Sequence, residues 1–97
     1  MRLSADQIGS IKACLEEIFG PEAKVYLFGS RVDPKKRGGD IDLYIQVDPL
    51  PEDWIEREQA FWLCLQNRLG EQKIDIVMAR DGNRPIERVA KKRGVML

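Results

Sequence analysis

The stretch that decides the fold is residues 27–45, which read LFGSRVDPKKRGGDIDLYI. An apolar run ends at Gly29 and Ser30, nine residues follow, and Asp40 and Asp42 then open a second apolar run. The other elements of the chain are predicted to be arranged around these two motifs.

Two carboxylates are predicted to share one face at the start of the second run. If residues 42–47 form a strand, side chains alternate between faces, so Asp40 and Asp42 point the same way, roughly 7 Å apart at the backbone. Like charges so close are unfavourable unless a cation lies beside them or a proton is shared. Oxygen ligands suit a divalent ion, and the pair therefore predicts a divalent metal site.

The Gly-Ser pair supplies groups that suit a phosphate. Gly29 lets the backbone approach a ligand at a strand end, and Ser30 adds a hydroxyl beside exposed amide donors. Ligands of open α/β sheets gather at the carboxyl ends of strands, where this pair is predicted to lie. The basic residues 31–39 have two interpretations. They form a solvated loop, or some of their cations lie near a triphosphate, with Arg31 as the strongest candidate because the turn fixes its position.

A third acidic strand follows later, since residues 73–78 read KIDIVM. Asp75 lies in the middle of this apolar run, where an ionised aspartate is costly to bury without a partner. Either the strand is at an edge and Asp75 meets water or a lysine, or Asp75 lies beside Asp40 and Asp42. In the second interpretation three carboxylates can hold two divalent ions for displacement at phosphorus.

Periodicity and capping signals predict the other elements. Ser4 and Gln7 match a capping box, and Gly70 is a helix terminator. The predicted order α-β-β-α-β-α, with a short edge strand at the end, is that of an α/β (α+β) domain. Its helices cover mainly one face of a small mixed sheet of three to four strands. The predicted bounds are helix 5–19, strand 24–28, strand 42–47, helix 51–69, strand 73–78, helix 85–93 and strand 95–97.

Two of the predicted helices carry side chains that packing in a core does not explain. The second has an apolar side wider than one sheet face requires. Trp54 and Trp62 therefore belong either to the core, which is the favoured interpretation for each, or to a partner contact. The last helix carries mainly cations. These cations favour the helix carboxyl end, bind a partner, or line a nucleotide cleft, and the sequence does not choose among these roles.

The totals are those of one small globular domain spanning residues 1–97. The chain is 43% hydrophobic and 33% charged, and its formal net charge is zero, so composition gives no support for direct nucleic-acid binding. No apolar run reaches membrane-spanning length and the start lacks a secretory signal, which predicts a cytoplasmic protein without a membrane contact. Without histidine or a CxxC motif, Cys14 and Cys64 are expected to be reduced core thiols.

The central motifs resemble the signature of the polymerase-β-like nucleotidyltransferase superfamily: Gly29-Ser30, nine residues, then Asp40-x-Asp42 in an apolar strand. The short chain is most similar to the minimal nucleotidyltransferases, the MNT family. These are small prokaryotic proteins, commonly antitoxin partners of HEPN-domain toxins. The resemblance covers nearly the whole chain, because the order and length of the elements also fit. It implies a nucleotidyltransferase fold.

The resemblance also implies roles for individual residues. The catalytic carboxylates and ligands of two Mg²⁺ ions would be Asp40, Asp42 and Asp75. The phosphates of the nucleotide would be bound by Gly29, Ser30 and Arg31. The implied reaction transfers AMP from ATP to a hydroxyl, typically of a tyrosine, on a HEPN toxin and so inactivates that partner. ATP as the nucleotide is inferred from the family alone.

Two other functions remain as alternatives. One is an antitoxin without catalytic activity, which neutralises the toxin by binding and masking it. The other is a nucleotidyltransferase that modifies a small molecule, which is less favoured because the chain has no additional substrate-binding domain. The sequence is compatible with a hetero-oligomer and with a homodimer.

Overall fold

The computed structural model describes residues 3–28, 41–80 and 94–97. The two helices in these ranges are α1 (Ala5–Phe19) and α2 (Trp54–Leu69). The strands are β1 (Lys24–Phe28), β2 (Ile41–Gln46), β3 (Ile74–Met78) and β4 (Val95–Met96). This confirms the predicted mixed α+β fold and the order of the described elements. The last predicted helix, residues 85–93, lies outside the described residues.

The four strands form one mixed sheet in the order β3-β2-β1-β4. β1 pairs antiparallel with both β2 and β4, and β2 pairs parallel with β3. Parallel neighbours need a crossover connection, and α2 provides it between β2 and β3. The parallel register pairs Ile41 with Ile74 and Asp42 with Asp75.

The core lies between the two helices and one face of the sheet. Ile41, Leu43 and Ile45 of β2 are fully buried and belong to the same apolar cluster as the buried residues of both helices. Phe19 of α1 meets Phe61 of α2 edge-on, with ring centroids 5.8 Å apart. The helices therefore cover one face, as predicted, and the alternate residues of the strands point to the other face.

Both ends of α1 agree with the sequence signals. The Ser4 hydroxyl accepts a hydrogen bond from the Gln7 amide at 3.1 Å, and the Ser4 amide donates to the Gln7 side chain at 2.9 Å. This reciprocal pair is the predicted capping box. Gly20 ends the helix with φ 98°, a conformation that favours glycine.

The start of α2 was predicted too early, at Pro51. The Trp54 amide donates to the Pro51 carbonyl at 3.2 Å, so residues 51–53 form a turn before the helix begins. A proline suits this turn as well as it suits a first helical turn, so the sequence signal did not separate the two. Gly70 ends α2, as predicted, with φ 81°.

The two cysteines form a disulfide, which corrects the expectation of reduced thiols. Cys14 of α1 is bonded to Cys64 of α2, and their Cα atoms lie 6.0 Å apart. Helical periodicity placed each cysteine among apolar neighbours. It did not show that packing of α1 against α2 brings these two positions face to face, because side-by-side packing depends on both helices at once.

Arg57 also ties the two helices together. Its guanidinium donates to the Ile18 carbonyl near the end of α1 and to the Asp53 carboxylate at 2.8 Å. The pair with Asp53 is exposed, 42% for the arginine side chain and 57% for the aspartate, so it contributes little to stability. The bond to the Ile18 carbonyl is part-buried and links residues distant in sequence. We therefore assign the structural role of Arg57 mainly to that bond.

Replacing Arg57 with glutamine is expected to lower the free energy of unfolding by about 1 kcal/mol through loss of the bond to the Ile18 carbonyl. The matched control is Arg68→Gln at the exposed end of α2, expected to change it by less than about 0.5 kcal/mol. Denaturant unfolding measures both. Equal losses in the two variants would contradict the assigned role.

The same variant has a second, pH-dependent readout at Asp53. The hydrogen bond from Arg57 lowers the pKa of the Asp53 carboxyl. Because the pKa of Asp53 is lower in the folded state, its ionisation stabilises the protein at pH values above the ordinary aspartate pKa. This contribution to the free energy of unfolding is lost as the pH falls through the lowered pKa. An NMR titration should find the Asp53 pKa higher in Arg57→Gln. An unchanged midpoint would show that the hydrogen bond is not formed in solution.

No helix among the residues that the structure describes is long and apolar enough to cross a membrane.

Candidate functional site

The sheet brings two of the predicted acidic residues together. Asp42 of β2 and Asp75 of β3 are Cα partners in the parallel register, and adjacent strands lie about 4.8 Å apart. Paired residues of neighbouring strands point to the same face. Their neighbours Ile41 and Ile74 are buried in the core beneath the helices, so both carboxylates lie on the face opposite α1 and α2.

The two carboxylates differ in their surroundings. Asp42 is half-buried, whereas Asp75 is exposed. Within the described ranges β3 is an edge strand, so Asp75 has the edge position that one interpretation predicted and the place beside Asp42 that the other predicted. These two interpretations were posed as alternatives, but the register shows that they describe the same position.

The end of the sheet that carries this pair is also where the chain enters and leaves residues 29–40. Phe28 is the last residue of β1 and the Cα partner of Asp42, and Ile41 begins β2. The other predicted site residues lie outside the described residues, and their roles stay predictions: Gly29, Ser30, Arg31 and Asp40. The structure thus brings together two of the six predicted site residues.

An apolar layer adjoins the carboxylates on the same face of the sheet. Phe28 and Tyr44 are buried and pack with Tyr26 and Val77. The rings of Tyr26 and Tyr44 lie 6.1 Å apart between centroids. Alternation along β2 puts Tyr44 on the face of Asp42, but the cluster depends on the β1–β2 register, which no local sequence pattern shows. Low-polarity surroundings strengthen the interaction of a carboxylate with a cation.

The chemistry of the donor set fits magnesium. Mg²⁺ prefers oxygen ligands and is usually held by one or two carboxylates, with waters and substrate phosphates completing its shell. Asp42 and Asp75 provide two such carboxylates at paired positions. In the part of the chain that the structure describes, no group of three histidine, cysteine, aspartate or glutamate side chains is placed to hold a metal ion. The predicted third ligand, Asp40, falls outside that part.

Comparison with known proteins adds to this geometry. A search of curated proteins finds no significant match to the chain. A protein-family model described as Polymerase beta, Nucleotidyltransferase matches residues 10–97, which include both described carboxylates and nearly every element of the fold. On the extent of that match, and with the mixed sheet and its paired aspartates in agreement, the chain belongs to the polymerase β nucleotidyltransferase family.

Proposed function

We propose that the protein is a magnesium-dependent adenylyltransferase that transfers AMP from ATP to a hydroxyl group of a partner protein. The observation that carries the proposal is the pairing of Asp42 with Asp75 on adjacent parallel strands. Membership of a nucleotidyltransferase family supports transfer of a nucleotidyl group in general. Family membership does not specify the nucleotide or the acceptor, so ATP and a protein acceptor are part of the proposal.

In the proposed reaction the acceptor oxygen attacks the α-phosphorus of ATP and the bond to the β-phosphate oxygen breaks, so that pyrophosphate leaves. Asp42, with Asp40, would hold the metal ion. Asp75 accepts the proton of the attacking hydroxyl. Gly29, Ser30 and Arg31 hold the phosphates. Bound magnesium would neutralise charge on the phosphates, and the protein contributes mainly position and electrostatic stabilisation.

A protein acceptor is supported by what α2 presents outside the core. Ile55 and Trp62 are exposed large apolar side chains on this helix, and both line one groove. Contiguous exposed apolar surface commonly marks a contact with another protein. We further propose that the partner is a HEPN-domain toxin and that the protein acts as its antitoxin, in keeping with the resemblance of the motifs.

The same exposed side chains favour a second candidate function, that of an antitoxin that acts by binding alone. Such a protein needs a surface for its partner but no intact carboxylate pair. The two functions differ in whether the partner is modified, which the mass of the partner shows directly.

The test of transfer is intact-mass analysis of the partner protein after co-expression and after incubation of the purified pair with ATP and magnesium. We expect the partner to gain the mass of one AMP, and the gain to disappear when a chelator removes magnesium. A partner whose mass never changes would leave the binding-only function and exclude the adenylyltransferase.

Binding of the nucleotide is expected to stabilise the protein much more when magnesium is also present. At a ligand concentration of one hundred times Kd, the gain is about 2.7 kcal/mol, which a thermal melt detects readily. ATP alone should produce a much smaller shift, since the carboxylates repel the unneutralised triphosphate. Equal shifts with and without magnesium would contradict metal-dependent binding.

A further inference from the structure

A groove lies between the outer side of α2 and the open edge of β3. Its volume is about 380 Å³. The residues that line it and matter here are Ile55, Glu58 and Trp62 of α2, and Ile74, Asp75 and Ile76 of β3. We infer that this groove docks an extended segment of the acceptor protein that carries both apolar and basic side chains. The inference rests on the proposed function in that it takes the acceptor to be a protein.

The backbone of β3 is suited to receive another strand. The Ile41 amide donates to the Lys73 carbonyl at 3.0 Å, and the Ala79 amide donates to the Ile45 carbonyl at 2.8 Å. Backbone groups alternate sides along a strand, so Ile74 and Ile76 turn their N–H and C=O groups away from β2. Among the described residues β2 is the strand with which β3 pairs, and no described strand lies on the outer side of Ile74 and Ile76, where an added strand could pair.

Two large apolar side chains of α2 that line the groove are exposed to solvent. Ile55 is 52% exposed and Trp62 is 43% exposed, although both lie on the helix that packs on the sheet. They are seven residues apart, which is two helical turns, and so they lie on one side of α2. Tryptophan is among the residue types that contribute most to protein–protein binding, and Trp62 lines this groove.

The charges of the groove identify the occupant as basic. Of the described residues that line it, Glu58 and Asp75 are charged, and both are acidic. Glu58 lies on the α2 side of the β3 edge and the Asp75 carboxylate lies on the other face of the sheet, so a strand added to this edge meets an acidic side chain on each face. A second copy of the chain placed symmetrically would bring two more carboxylates to the same edge, which is unfavourable. Burial raises the pKa of Glu58 while the nearby Arg80 lowers it. A lysine or arginine from the occupant would favour the ionised carboxylate further.

The groove and the candidate site adjoin across the edge strand β3, because Asp75 borders the groove while its carboxylate lies beside Asp42 on the opposite face. A segment paired along β3 therefore runs past the carboxylate proposed to accept the proton. Each residue of a strand advances about 3.3 Å. A hydroxyl-bearing side chain on the docked segment can therefore lie beside Asp75 if it is within one or two residues of the position that pairs with Asp75. This arrangement brings the acceptor to the reacting groups from the side of the protein opposite β4.

The test uses the complete protein and a synthetic seven-residue peptide in which lysine and isoleucine alternate. NMR follows the Trp62 indole and the exchange of the Ile76 amide with solvent, in the absence of ATP and magnesium. We expect the peptide to shift the indole signal and to slow exchange at Ile76. A matched peptide with glutamate in place of lysine should bind about tenfold more weakly.

Two variants locate the contact. Trp62→Ser should weaken peptide binding by about tenfold. Leu63→Ser is the control, because Leu63 is similarly exposed on the same helix but lines a different hollow, between α1 and α2. Equal weakening in both variants, or no response of Trp62 and Ile76 at millimolar peptide, would overturn the inference. So would protection of Ile76 that rises with protein concentration alone, since that outcome identifies a second copy as the occupant.

Failure of the inference and failure of the proposed function give different results. If the peptide binds but no partner ever gains AMP, the groove is a docking site and the adenylyltransferase proposal fails. If Trp62→Ser modifies its partner at the wild-type rate and affinity, the transferase proposal stands and the acceptor docks elsewhere.

Discussion

Replacing Asp42 with asparagine is expected to reduce the rate of AMP transfer to the partner on the order of a thousandfold. The change removes one negative charge but keeps the size of the side chain, so the packing of β2 should be retained. An amide oxygen is a weaker ligand for magnesium than a carboxylate, and the paired Asp75 alone cannot supply the missing charge. The appearance of modified partner over time, measured by mass spectrometry, gives the rate.

The control for this variant is Asp48→Asn. Asp48 is exposed and lies just beyond the end of β2, so its loss changes net charge equally without touching the paired carboxylates. Both variants should keep the melting temperature of the wild type within a few degrees. Wild-type transfer by Asp42→Asn would remove this residue from the reaction. If Asp42→Asn transfers no AMP and still neutralises the toxin, masking is sufficient for neutralisation.

Breaking the Cys14–Cys64 bond is expected to cost about 4 kcal/mol of unfolding free energy. The bond closes a loop with a sequence separation of 50, and the estimate follows from the chain entropy that such a loop removes from the unfolded state. A loss of this size is a large part of the stability of a small domain. Thermal or denaturant unfolding with and without reductant measures it.

The control is the double variant Cys14→Ala and Cys64→Ala. Reductant should not change its stability, and its own stability should be close to that of the reduced wild type. A wild-type protein that responds to reductant no more than this variant would show that the thiols are not bonded in solution. The buried position of Cys14 adds a smaller packing loss to the variant, so the comparison with reductant is the cleaner measure.

The elements that sequence predicted well are those set by local signals. The bounds of α1 and β1 agree with the structure, because a capping box, a glycine terminator and short apolar runs are read from neighbouring residues. The predicted β2 lies one residue late at both ends, whereas the predicted β3 starts one residue early and ends correctly at Met78. The alternation of apolar and polar side chains identifies these strands and assigns their faces, so only their end residues differ from the prediction.

The features that sequence left open depend on contacts between distant elements. Whether Asp75 lies next to Asp42 is decided by the parallel register, and no local pattern encodes it. Trp62 was favoured as a core residue, which was wrong, since it is exposed, whereas Trp54 packs in part against the core. A helix with apolar residues all around does not show which of them the sheet will cover.

The two paired aspartates lie on β2 and β3, the strands on either side of the α2 crossover. Neither pairing of β1 with β2 nor packing of α1 on the sheet can therefore bring them together. Long-range parallel pairing is costly in loop closure and typically forms late. Catalysis by this protein should therefore report the intact native state rather than any partly ordered chain. In a denaturant titration, enzymatic turnover should vanish together with the cooperative unfolding of the sheet.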